Sequence, residues 1–134
     1  MTSNSLQKNN IYNINENASS ILLINLEGII KNYNFLKTKA YKSEIGVSVK
    51  ANAYGLGLKK ICTALVKQGC NTFFVATAKE GLDTIKIKKN LNVFVLNGMP
   101  NKKSAIFLIK RGIKIVINNC QQLKDLINIS NQIN

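Results

Sequence analysis

A β-rich run that ends in Lys50, and short apolar runs at Phe73 to Ala76, Val93 to Leu96 and Ile113 to Ile117, are each followed by a stretch with helical periodicity. This alternation limits the fold more than any other feature. Short apolar strands separated by amphipathic helices are what a parallel sheet needs when its crossover helices cover it. The fold class is therefore α/β, built from parallel β/α units. The runs do not separate an open doubly wound sheet from part of a closed barrel. In both, ligands gather at the carboxyl ends of the strands, which is where Lys50 falls.

The helical stretches carry their own punctuation. After Gly57, the residues Leu58, Ile61, Cys62, Leu65 and Val66 mark one face of a helix that Gly69 ends. Thr77 and Glu80 have the spacing of a capping box ahead of a helix carrying Leu82 and Ile85. Asn97, Gly98 and Pro100 break the third strand before a helix with Ala105, Ile106 and Ile109, which Gly112 closes. A last helix runs from Cys120 to Ile129. Upstream, Ile21 to Leu26 reads as a strand and Glu27 to Lys39 as a helix, with Tyr33 and Phe35 as packing residues. Residues 1–19, rich in Asn and Ser, read as a mobile arm, and residues 20–134 as the folded unit.

Composition removes several function classes. The net charge of +13 is carried almost wholly by Lys scattered from Lys8 to Lys124, in nothing longer than pairs. Nucleic-acid binding calls for a basic stripe interleaved with aromatics or a recognisable motif, and neither is present. With no histidine, and with Cys62, Cys70 and Cys120 far apart, no metal site is expected. Cys62 and Cys120 fall on apolar helical positions and read as small core residues. Ile21 to Leu26 is too short to span a membrane, and no secretory leader precedes it, so the expected setting is cytoplasmic.

Lys50 stands out against this background. Alternation sets Gly46 and Ser48 on its face of the strand and Ile45, Val47 and Val49 on the other. A lysine at such a place is either a solvated surface charge or a reactive amine. Asn52, Tyr54, Gly55 and Gly57 follow at once, and they favour the amine. A neutral amine condenses with an aldehyde, a neighbouring phenol can stack on or hydrogen-bond to the product, and glycines let backbone approach a ligand closely. The glycines match no phosphate-cradling nucleotide motif.

Val49-Lys50-Ala51-Asn52-Ala53-Tyr54-Gly55-Leu56-Gly57 resembles the pyridoxal-phosphate signature of the alanine racemase family. Phe74 to Leu82 is similar to that family's second strand and following helix, Val93 to Gly98 to its third strand, and Ile24 to Tyr33 to its N-terminal segment. The resemblance spans about residues 20 to 128. It implies that Lys50 holds pyridoxal 5'-phosphate through its amine and afterwards moves the substrate's α proton on one face. It also implies that Tyr54 lies in the cofactor pocket and that Leu96, otherwise a plain core leucine, contacts the ring. The implied substrate is a small amino acid, L-alanine converted to D-alanine for cell-wall precursors, and the intact family members are homodimers.

Two departures accompany the likeness. Leu56 stands where family members commonly carry histidine. The family's TIM-type (β/α)8 barrel needs about 250 residues, and this sequence of 134 accounts for about half of one. The expectation is a truncated or split product, inactive alone, with a separate chain supplying the second half and, with it, the opposite-face base. Racemisation by proton exchange on both faces requires two such groups. The alternative is a non-catalytic pyridoxal-phosphate-binding or interaction module.

Overall fold

The computed structural model describes residues 19–99 and 101–133, so the arm assigned to residues 1–19 lies, apart from Ser19, outside the described residues, as does Pro100. Helix α1 (Leu26–Lys39) is followed by strand β1 (Gly46–Ser48), a five-residue turn α2 (Lys50–Tyr54), α3 (Leu58–Lys67), β2 (Thr72–Val75), α4 (Ala78–Ile85), β3 (Asn92–Val95), α5 (Lys102–Ile109), β4 (Lys114–Ile115) and α6 (Cys120–Ile133).

All strand pairs are parallel and the order is β1-β2-β3-β4, with Ser48 opposite Phe74, Phe74 opposite Phe94 and Phe94 opposite Lys114. Parallel strands laid down in sequence order, joined by crossovers of one hand, carry their helices on one face of the sheet. The order never reverses, so the doubly wound alternative does not apply. The arrangement is that of consecutive units of a barrel.

The strands divide their side chains accordingly. Val49, Phe73, Val75, Val93 and Val95 are buried and join Ile61, Cys62, Leu65 and Leu108 from the helices in one core. On the opposite face Phe74 and Phe94 stack with ring centroids 5.1 Å apart and stay half-buried. The helix signals hold: Thr77 and Glu80 close a capping box on α4, and Gly69 and Gly112 leave their helices with positive φ; in addition Asn101, which the sequence reading did not single out, caps α5 by accepting from Ser104 N.

Four expectations are corrected. Ile21 to Asn25 forms no strand, because no neighbouring strand offers it hydrogen bonds among the described residues and Asn25 instead caps α1 by accepting from Gly28 N at 2.9 Å. Leu22 and Leu23 are consequently 67% and 82% exposed. Phe35 is not a packing residue: α1 turns Leu26, Ile29 and Tyr33 inward, and Phe35, two positions past Tyr33, points to solvent beside Lys39. Cys120 is exposed rather than core, since it opens α6 with no preceding turn beside it. The opening strand stops at Ser48, and Lys50 belongs to the turn beyond it.

Candidate functional site

Lys50 begins a segment that runs against the handedness of L-amino acids. Ala51, Asn52, Ala53 and Tyr54 all have positive φ, between 52° and 56°, which amounts to one turn of left-handed helix, and Gly55 continues at 85°. Ala53 N donates to Val49 O at 2.8 Å and Gly55 N to Ala51 O at 2.9 Å, closing the turn internally. Each alanine or tyrosine in such a conformation costs about 1–2 kcal/mol, and only Asn and Gly adopt it readily. The surroundings must therefore hold it.

They do so at four points. Ala53 is buried among the core residues. The Asn52 side chain accepts from Leu58 N at 2.9 Å and so caps α3, whose own preceding residue, Gly57, has no side chain to do it. The Tyr54 hydroxyl sits 3.0 Å from Ser48 Oγ, folding the phenol back over the end of β1. Glu80, at the head of α4, accepts from Asn52 N through Oε1 at 3.0 Å. Its Oε2 accepts from Ala76 N at 2.9 Å and Thr77 N at 3.2 Å. Partial burial works to raise this carboxyl's pKa, but the N–H groups of Asn52, Thr77, Ala76 and Ala51 outweigh it and hold the group below the ordinary carboxylate range.

Lys50 and Tyr54 thus begin and end one turn at the carboxyl end of β1, both exposed. Leu96 follows β3, half-buried, its N–H donating to Val75 O at 2.8 Å and its carbonyl accepting from Asn118 Nδ2 at 2.9 Å. Alternation turns it to the same face as Phe74 and Phe94. A primary amine and a tethered phenol thus follow β1, and an apolar side chain follows β3, with β2 between the two strands. Among the described residues, no group of three or more His, Cys, Asp or Glu side chains could hold a metal ion.

Sequence reasoning named Lys50 and Tyr54 but missed the handedness of the turn and the second task of Glu80. Asn52 and the paired glycines were the available signals, since both types tolerate positive φ. Ala51 and Ala53 gave none.

Residues 24–134 match the family model described as alanine racemase, N-terminal domain. The chain belongs to the alanine racemase family. It is 40% identical over 104 residues to the alanine racemase of Rickettsia prowazekii, which covers 77% of this chain but 26% of that protein. The crystal structure of the alanine racemase from Bartonella henselae, which has covalently bound pyridoxal phosphate, superposes with a TM-score of 0.77 at 35% identity, over 81% of this chain and 30% of the other. The solved structure of the Acinetobacter baumannii alanine racemase gives a TM-score of 0.70 at 31% identity, over 77% of this chain and 28% of the other. The chain therefore spans under a third of the length of these relatives, and its four parallel β/α units correspond to the N-terminal part of the alanine racemase barrel. No helix among the described residues is long and apolar enough to cross a membrane.

Proposed function

We propose that the chain is the cofactor-anchoring part of a pyridoxal-phosphate-dependent amino-acid racemase acting on alanine, with Lys50 as the anchoring amine. The observation that carries the reading is the placement of Lys50: an exposed lysine at the carboxyl end of β1, on a strained turn fastened at four points that also carries a phenol held by Ser48. Strain of this kind persists where surrounding contacts overdetermine it, and it clusters at functional sites.

When bound, pyridoxal phosphate supplies an electron sink that makes the substrate's α proton removable. Lys50 Nζ is the group that would hold the cofactor, and as a free amine it would accept or return that proton on one face of the substrate. The Tyr54 hydroxyl, tethered to Ser48, would line the cofactor site from the same turn, and Leu96 would contact the cofactor ring from the end of β3. Exchange on both faces calls for a second acid or base, which in this reading comes from outside the described residues. The partners proposed are a second subunit, as in a homodimer, and a chain bearing the remaining barrel strands; the open face with Phe74 and Phe94 supports the latter.

The decisive experiment is incubation of the chain with pyridoxal phosphate, reduction with borohydride and mapping of the labelled peptides. Label concentrated on Lys50 and lost in Lys50→Ala is expected. Label scattered over the other lysines, indifferent to that substitution, would rule the reading out. The purified chain alone is expected to racemise alanine negligibly.

A further inference from the structure

We infer that Glu80 is a positioning residue for Lys50, its carboxylate fastening the left-handed turn to the head of α4 and so fixing where the lysine amine stands. The inference rests on the reading of Lys50 as the cofactor anchor and adds to it a residue from a different β/α unit.

The two oxygens of Glu80 do separate things. Oε2 completes the capping box with Thr77 N, which is all a capping box asks of it, and also accepts from the preceding Ala76 N. Oε1 reaches across to Asn52 N, two residues beyond Lys50 and 28 residues away in sequence. Within the turn, Ala53 N and Gly55 N find backbone acceptors, whereas Asn52 N has its partner in Glu80. The carboxylate thus takes a donor for which the turn offers no acceptor of its own, and the neighbouring Ala51 N–H also helps hold the Glu80 carboxyl in its charged form. Reaching both elements at once requires two acceptor oxygens, which a carboxylate has and a carboxamide lacks.

Glutamine serves a capping box as well as glutamate does. In Glu80→Gln the single oxygen is drawn to the pair of donors at Ala76 and Thr77, leaving the NH2 facing Asn52 N–H, donor against donor. The cap survives and the fastening is lost. Thr77→Ala does the reverse: it removes the other half of the capping box and leaves the contact with Asn52.

Both variants of the full chain are compared with the parent by amide hydrogen exchange and by titration with pyridoxal phosphate followed through imine absorbance and Lys50 label. In Glu80→Gln, exchange at Asn52 is expected to quicken and Lys50 affinity to fall, each by about tenfold, the scale of losing one hydrogen bond to a charged group. In Thr77→Ala, melting temperature drops while exchange at Asn52 and affinity at Lys50 stay within about twofold of the parent. Unchanged Asn52 exchange in Glu80→Gln overturns the inference, and so does equal loss of affinity in the two variants, which would reduce Glu80 to a helix cap. A parent chain that forms no imine at Lys50 defeats the proposed function instead. The exchange measurement needs no cofactor and still decides whether Glu80 holds the turn.

Discussion

Cys62 sits fully buried on α3, and burial, reinforced by neighbouring Cys70, pushes its thiol from the ordinary 9.0 up to about 12. Cys70 is likewise raised by burial, against the pull of its contacts with Thr72 and Tyr33, while Cys120 is exposed. Alkylation near pH 8 is expected to modify Cys120 alone in the folded chain and all three cysteines in urea, read as one adduct against three by intact mass. The sign for Cys62 follows from linkage. Its contribution to stability is whole below the unfolded value of 9.0 and is lost as pH rises toward about 12, because only the unfolded state ionises across that window. Periodicity alone put Cys62 and Cys120 in the same class. It reports which face of a helix a residue occupies and says nothing about whether another element lies over that end of the helix, which is what separates the two.

The elements were legible wherever local chemistry decides them. Capping at Thr77 and termination at Gly69 and Gly112 depend on a few adjacent residues, and these helix ends stand within a residue or two of where the sequence puts them. The turn at Lys50 was not legible, because Ala51, Ala53 and Tyr54 have no intrinsic leaning toward positive φ. Its conformation comes from Ser48, Leu58 and Glu80, contacts made only once the sheet has formed. The run at Ile21 failed for the converse reason: its strand propensity is real, but a strand needs a neighbour. Gly46 offers a test at this scale. A Cβ there would lie 2.5 Å from Phe74 Cε2 and 2.9 Å from Thr72 Cγ2, and the Phe74 ring is already stacked on Phe94. Gly46→Ala is expected to destabilise by about 1–3 kcal/mol, seen as a lower urea midpoint with the slope unchanged.

For the whole molecule, the sequential strand order leaves one sheet face without helices and both outer strands without a second partner among the described residues. Phe74 and Phe94 on that face give an apolar surface of the kind that mediates association, and Leu22 and Leu23 expose further apolar area ahead of α1. Sedimentation of the purified chain is expected to show mass rising with concentration, and Phe94→Ser to weaken that rise. A constant monomer mass up to high concentration would show that the face is tolerated by water. The register also has a kinetic meaning. Thr72 pairs with Asn92 and Phe94 with Lys114, so each of these steps along the sheet closes a loop of 20 residues. Equal, local loops impose nearly equal entropic barriers. Such a sheet can grow from either edge one β/α unit at a time, and what it lacks in long-range closure it gains in assembling like a staircase, each step waiting only on the one before it.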